Sequence, residues 1–187
     1  MEKMQKLHFI ISVAMALFIA VLLSASSTNL VSASNTPRPF KKHHLHYYVQ
    51  LDTRSPGISL KFIPPINTTL SANFGAGTLF ALNVTKDVEP TSKRLGTVRG
   101  YTVETSYLGF PDSALLEVAM VEYDDGKYNG TLQLQGLASQ QLTELAVKGG
   151  SGSFRGVHGY LVVTLVVDHL PTRTFRHDVT FFVKMHS

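Results

Sequence analysis

Short segments of alternating polar and apolar residues run along most of this chain, and they restrict its fold more than any other feature. Seven segments are rich in Val, Tyr, Phe or Thr and are bounded by Gly, Pro, Asn or Asp, which is typical of β-strands. They are 46–52, 74–84, 96–105, 114–123, 130–135, 158–168 and 174–183. In 131–135, Leu132 and Leu134 share one face and three polar residues share the other. This alternation predicts antiparallel strands with one face towards solvent.

Turn signals divide the segments, and the number of strands limits how they can be arranged. Asp125-Gly126 and Asn129-Gly130 favour tight reversals, because glycine accepts the positive φ of hairpin turns. Segment 139–147 is compatible with one helical turn or with a further strand. Seven or eight strands in about 140 residues must form a sandwich or a closed barrel, since an open sheet would leave edges prone to aggregation. We favour the closed barrel.

Residues 1–33 have the layout of a secretory signal peptide. Two lysines precede the apolar run 9–23, and small residues follow it. The run is shorter than the roughly 20 residues that a membrane-spanning helix needs. We expect cleavage after Ala33, with cleavage after Ala25 as the alternative. The prediction is a secreted protein that has no membrane contact once the leader is removed.

Behind the leader, the chain is expected to form one domain preceded by a flexible lead-in. Residues 34–45 are mostly Asn, Thr, Pro, Arg, Lys and His, and Pro37 and Pro39 oppose both helix and sheet. No repeat or linker divides residues 46–187 into two domains. Three acceptor sequons fit a secreted product that carries glycans. They begin at Asn67, Asn83 and Asn129.

The composition excludes several classes of chemistry. The chain has no Cys, which excludes disulfides, thiolate metal sites, thiol nucleophiles and iron–sulfur clusters. A net charge of +4 is too small and too scattered to indicate nucleic-acid binding. The histidines of 41–46 adjoin two lysines and indicate an exposed basic tail, and the glycines of 149–156 indicate a barrel corner rather than a phosphate-binding loop. We therefore expect no metal, no cofactor and no nucleic-acid partner.

Ionisable and aromatic residues within the apolar strands are the candidates for a site. A charge is costly to bury, so a carboxyl on an interior face has a perturbed pKa and can hold or protonate a phenolic ligand. Glu117 shares its strand face with apolar residues of 115–123. Asp168 is the last residue on a similar face of the predicted strand 158–168. Asp52 is a third candidate acid. Tyr101 and Phe175 are suited to stacking on an aromatic ligand.

Several motifs in order resemble the plant dirigent proteins, and the similarity runs from about His46 to the C-terminus. The motifs are FGAGTL at 74–79, SKRLGTVRGY at 92–101, YNGTL at 128–132 and VKGGSGSFRGVHGY at 147–160. The resemblance implies an eight-stranded antiparallel β-barrel, a homodimer or homotrimer, in the plant cell wall. It also implies that a laccase or peroxidase makes phenoxy radicals from a monolignol such as coniferyl alcohol. The barrel then directs their coupling to one stereoisomer in lignan biosynthesis, without redox catalysis or a cofactor of its own.

Two other functions are consistent with the same resemblance. Some dirigent proteins eliminate water from isoflavanols through a quinone methide, and the related allene oxide cyclases catalyse a cyclisation on the same barrel. A non-catalytic wall protein that organises lignin is the third possibility. We expect Asp52 and Glu117 to be the catalytic residues and Tyr101, Phe175 and Asp168 to contact the substrate.

The sequence departs from the family at positions that bear on chemistry. The first barrel strand of the family usually closes with His-Asp, whereas Leu51 and Asp52 stand here. Lignan-forming members carry an Asp and an Arg where this chain has Ala138 and Thr143. A shift of one residue in a strand reverses the face of every side chain, so Asp52 faces the interior only if a bulge intervenes.

Overall fold

The computed structural model describes residues 40–54, 60–65, 67–69, 73–106, 115–139 and 143–184. Nine strands and one short 3₁₀ helix, Gly152–Phe154, lie in these ranges. The strands are β1 Phe40–Asp52, β2 Leu60–Ile63, β3 Gly77–Thr85, β4 Arg94–Glu104, β5 Leu115–Asp124, β6 Asn129–Ala138, β7 Thr143–Gly150, β8 His158–His169 and β9 Thr172–Lys184. Within this part of the chain, no helix has the length and apolar character needed to cross a membrane.

Eight of the strands form a closed antiparallel barrel, which confirms the predicted fold. Neighbouring strands pair in the order β1, β9, β8, β7, β6, β5, β4, β3, and a β1–β3 pairing closes the ring. At this seam, β1 pairs with the last residues of β3, from Asn83 to Thr85. The short strand β2 pairs with the first residues of β3, from Gly77 to Phe80. One edge of β3 is therefore covered by two different strands.

The barrel interior is formed by the alternation that the sequence shows. Leu132 and Leu134 are buried in β6, whereas Gln133 and Gln135 are exposed, as the period of two predicts. Other interior residues come from every barrel strand. Fully buried examples are Tyr47, Val49, Val84, Val121, Leu145, Leu161, Val179 and Phe181.

Aromatic rings fill one end of the barrel. Phe154, in the 3₁₀ helix between β7 and β8, is completely buried. Its ring centroid lies 5.6 Å from that of Phe181, 5.9 Å from that of Tyr128 and 6.1 Å from that of Tyr123. Edge-to-face and stacked rings at these separations attract one another in addition to burying apolar area. Aromatic side chains therefore occupy the barrel interior at this end.

The glycine-rich segment forms the barrel corner that its composition predicts. Gly152 has a φ of 58°, and a Cβ there would collide with the backbone carbonyl of Asn129. A Cβ on Gly150 would collide in the same way with the carbonyl of Thr131. Glycine is needed at these two positions because the backbone of β6 lies too close to the end of β7 and to the 3₁₀ helix for a side chain.

The structure corrects one secondary-structure prediction, decides between two alternatives for a second segment, and adds one strand. β1 begins at Phe40, so 40–45 is strand rather than flexible lead-in, because it pairs continuously with β9 from the Phe40–Lys184 pair onwards. The ambiguous segment 139–147 contributes to strand β7 and forms no described helix. Strand β2 was not predicted, since it has only four residues and follows no clear alternation.

Candidate functional site

A largely apolar cavity of about 320 Å³ lies at the end of the barrel opposite the aromatic rings. Its apolar lining residues are Val49, Leu51, Leu60, Phe80, Leu82, Val98, Leu115, Ala138, Val163 and Phe175. Its polar lining residues are Thr78, Thr102, Glu117, Ser139, Thr143 and His177. Small-molecule sites commonly have volumes of about 300 to 1,000 Å³, with a few polar groups in an apolar wall. The cavity therefore suits one small organic molecule.

Glu117 is the one carboxyl among the described residues that line this cavity. It lies on the inner face of β5, together with Leu115, Ala119 and Val121, as the alternation predicts. Burial among apolar groups raises the pKa of Glu117 to about 7. No described residue forms a hydrogen bond or ion pair with its carboxyl group. Glu117 is therefore partly protonated near neutral pH and can donate or accept a proton there.

The raised pKa of Glu117 makes the stability of the barrel depend on pH. The folded protein binds the Glu117 proton more tightly than the unfolded chain does. The protonated carboxyl therefore makes its full contribution to the free energy of unfolding below pH 4.5, the ordinary pKa of a glutamate, and this contribution is lost as the pH rises through about 7. Buried His177 has a lowered pKa and changes the stability in the opposite direction over the same pH range, but it does so equally in the wild type and in Glu117→Gln. We therefore expect the free energy of unfolding of the wild type to fall by about 3 kcal/mol relative to that of Glu117→Gln between pH 4.5 and pH 7.

Urea unfolding across this pH range measures the effect. Glu144→Gln, which neutralises an exposed carboxyl on β7, is the matched control and should follow the wild type. Equal pH dependence in the wild type and Glu117→Gln would contradict the burial of this carboxyl.

Phe175 provides an aromatic wall for the cavity, and its contact with substrate stays a prediction. It lies on the inner face of β9, and Phe80 of β3 contributes a second aromatic ring to the lining. Both rings pack against the buried core and remain partly accessible. A flat aromatic molecule can therefore contact aromatic side chains from two strands.

His177 is a site residue that the sequence analysis missed. It lines the cavity from β9 and is only 6% exposed. Its Nδ1 lies 3.3 Å from the hydroxyl oxygen of Tyr47, whose side chain is fully buried. Burial lowers the pKa of His177 to about 3, so its imidazole is neutral, and burial raises the pKa of Tyr47 above its ordinary value. The sequence does contain a signal for this interior position, because His177 lies two residues from Phe175 and two from Val179 on the same strand face.

Asp52 does not lie in the cavity, so the catalytic role predicted for it lacks the interior position that this role requires. The β1–β9 pairing runs through Asp52 without a bulge. Of the two neighbouring residues Leu51 and Asp52, it is Leu51 that lines the cavity. Asp52 instead forms a 2.6 Å ion pair with Arg54. Hydrogen bonds from Arg54 lower the pKa of Asp52 to about 2, which leaves it ionised and unsuited to proton transfer near neutral pH.

Asp168 and Tyr101 also lie outside the cavity, contrary to their expected contact with substrate. Asp168 is near the end of β8 and forms a 2.7 Å ion pair with Arg173. Tyr101 is 39% exposed on the outer face of β4, whereas Val98 and Thr102 of that strand line the cavity. Apolar residues occur on both faces of β4, so its sequence does not reveal which face is interior.

The three sequon asparagines are exposed. Asn67 lies before a turn, Asn83 lies on the outer face of β3, and Asn129 begins β6, where its Nδ2 donates a 2.7 Å hydrogen bond to Asp124. Glycan attachment stays a prediction. In the ranges that the structure describes, no group of three His, Cys, Asp or Glu side chains is arranged to hold a metal ion.

Ala138 and Thr143, the positions at which the resemblance implies an Asp and an Arg in lignan-forming members, both line the cavity. The ionisable groups that the structure brings to the cavity are Glu117 and His177, and neither occupies one of these positions.

Comparison with known proteins identifies the family. A family model described as "Dirigent-like protein" matches residues 42–182, which is most of the chain. The chain is a member of the dirigent family. Pterocarpan synthase 1 of Glycyrrhiza echinata is 27% identical over 79% of this chain and 82% of its own length. Dirigent protein 1 of Arabidopsis thaliana is 28% identical over 77% of this chain and 79% of its own length.

A solved structure shows the same fold. The structure of the pterocarpan synthase dirigent protein GePTS1 superposes with a TM-score of 0.66, covering 79% of this chain and 88% of that one at 24% identity. The described barrel is thus a dirigent barrel, and proteins of this family bind phenolic substrates.

Proposed function

We propose that this dirigent protein binds one phenolic molecule in the barrel cavity and catalyses its dehydration, with Glu117 as the general acid. The observation that carries this proposal is a carboxyl group with a pKa of about 7 in an apolar cavity. A general acid is most effective when its pKa is close to the working pH, and such tuning by burial is common at active sites.

The substrate class follows from the relatives named pterocarpan synthase. A pterocarpan contains an ether ring that forms when the 2′-hydroxyl of a 2′-hydroxyisoflavanol replaces the hydroxyl on C4. Glu117 would donate its proton to the C4 hydroxyl as the C4–O bond breaks and water leaves. A phenolic hydroxyl conjugated with C4 would release its proton to solvent, which gives a neutral quinone methide.

Ring closure completes the reaction. The 2′-oxygen attacks C4, its proton passes to the Glu117 carboxylate, and the quinone methide oxygen takes back a proton from solvent. The overall change is the loss of one water molecule, so neither an oxidant nor a reductant is required. The apolar walls around Phe80 and Phe175 would hold the flat rings and restrict competing attack by water.

The test is turnover by the purified protein without any oxidant. Each stereoisomer of a 2′-hydroxyisoflavan-4-ol is supplied, and the dehydrated product is resolved by chiral chromatography with mass detection. We expect one isomer to be converted faster than the others and faster than in buffer. Equal rates with and without protein for every isomer would refute the dehydratase function.

Stereoselective coupling of monolignol radicals is the second candidate function. It is favoured by the aromatic walls of the cavity and by relatives named dirigent protein. Coupling requires two radicals in the cavity at once, whereas a volume of 320 Å³ is near the lower limit for one ligand. We therefore rank coupling second. Coniferyl alcohol and a one-electron oxidant, supplied in place of a laccase or peroxidase, test it. An excess of one pinoresinol enantiomer supports coupling, and a racemate at every protein concentration excludes it.

A further inference from the structure

His177 has one polar atom that the barrel leaves for a ligand. Its Nδ1 is engaged by the Tyr47 hydroxyl, and no other described residue forms a hydrogen bond with the ring, so Nε2 has no partner in that part of the chain. The side chain is more than nine-tenths buried, and it lines the cavity. Among the described residues no buried side-chain nitrogen or oxygen atom lacks a hydrogen-bond partner, so Nε2 is accessible from the cavity, where a ligand atom can bond with it.

Tyr47 determines which kind of partner Nε2 needs. The Tyr47 hydroxyl is fully buried, and His177 Nδ1 is its hydrogen-bond partner among the described residues. If the hydroxyl donates, Nδ1 is the acceptor and the proton of the neutral imidazole lies on Nε2. Nε2 then donates to the cavity, and an oxygen atom of the ligand is its natural acceptor.

Glu117 and His177 face each other across the barrel. In the closed ring, β6, β7 and β8 separate β5 from β9 in one direction, and β4, β3 and β1 separate them in the other. The two polar groups therefore stand on opposite walls of one apolar cavity. A ligand that satisfies both has an oxygen at each end and a flat apolar body between them.

We propose that His177, oriented by Tyr47, donates a hydrogen bond from Nε2 to a phenolic oxygen of the bound molecule, at the end remote from Glu117. This inference rests on the proposed function and narrows its substrate class to molecules with an unmethylated phenolic oxygen at that end. A neutral imidazole is suited to this role, because it can donate a hydrogen bond to the phenolic oxygen, and then to the carbonyl oxygen of the neutral quinone methide, without transferring its own proton. His177 is a substrate-binding and specificity residue, and Tyr47 is a positioning residue.

Binding of two unreactive flavonoids tests this inference. The probes are 7-hydroxyisoflavone and 7-methoxyisoflavone, which differ by a methyl group on one phenolic oxygen, and affinities are measured by titration calorimetry. We expect the wild type to bind 7-hydroxyisoflavone about tenfold more tightly than 7-methoxyisoflavone, because one hydrogen bond in a buried site contributes about that factor to the affinity. His177→Phe should bind both compounds equally. His44→Phe, the same change on the outer face of β1, should keep the preference.

Two further variants test the inference in case His177→Phe does not fold correctly. Tyr47→Phe removes only the hydroxyl that orients His177, and it should reduce the preference to a few-fold because the imidazole proton is no longer confined to Nε2. His177→Gln retains a donor and should keep part of the preference. An undiminished preference in both His177→Phe and Tyr47→Phe would overturn the inference.

Turnover and binding separate this inference from the dehydratase function. Equal affinity of the wild type for both probes, or no binding of either, would overturn the role of His177 even if the protein dehydrates isoflavanols. A preference that His177→Phe abolishes supports that role even if no dehydration is found.

Discussion

Glu117→Gln is expected to lower the rate of isoflavanol dehydration by about 10²- to 10⁴-fold, the usual contribution of a general acid. Gln has nearly the same shape and can still donate a hydrogen bond, but it cannot transfer a proton. The cavity walls are unchanged, so KM should change much less than kcat. Steady-state kinetics of the wild type and the variant measure both parameters.

The pH profile gives an independent readout of the same prediction. Only the protonated carboxyl acts as the acid, so wild-type kcat should fall as the pH rises through about 7. The residual rate of Glu117→Gln should not show this step. Glu144→Gln, on the outer face, should retain both the rate and the profile. A large loss in Asp52→Asn together with an unchanged rate in Glu117→Gln would reject Glu117 as the acid.

Phe154→Ala is expected to lower the free energy of unfolding by about 3 to 5 kcal/mol, which is typical for removal of a fully buried ring. Phe154 is enclosed by the rings of Tyr123, Tyr128 and Phe181, so the surrounding side chains cannot all move into the vacated space. Chemical denaturation at one fixed pH measures the change.

Phe62→Ala is the matched control for Phe154→Ala. Phe62 is 78% exposed on β2, and its replacement should alter stability by no more than about 0.5 kcal/mol. A similar small change in both variants would show that the aromatic end is not a close-packed core.

The barrel could be predicted from the sequence because its strands depend on local patterns. Leu132 and Leu134 alternate with polar residues, and glycine turn signals stand between β5 and β6. The start of β1 could not be predicted in this way. Residues 40–45 carry no alternating apolar pattern that predicts a strand, and they form one because β9 extends to Lys184 and pairs with them. That pairing is a long-range contact that a local pattern does not contain.

The site was harder to predict than the fold because it depends on which face of each strand is interior. Glu117 could be assigned, since its neighbours two residues away, Leu115 and Ala119, are apolar. Phe175 was a candidate only because an aromatic side chain suits stacking, since Arg173 and His177 are its neighbours on that face. Asp52 and Tyr101 could not be assigned, because apolar side chains occur on both faces nearby, and a one-residue difference in register exchanges the faces. His177 was overlooked although its face is apolar, because a lone His in a core strand more often packs there than binds a ligand.

The aromatic end limits the depth of the cavity. Phe154 and its neighbouring rings occupy the barrel interior there, so substrate and product share the space at the opposite end. With a volume of about 320 Å³, that space suits one of the two molecules at a time. Accumulated product should therefore act as a competitive inhibitor, and its departure sets an upper limit on the catalytic cycle.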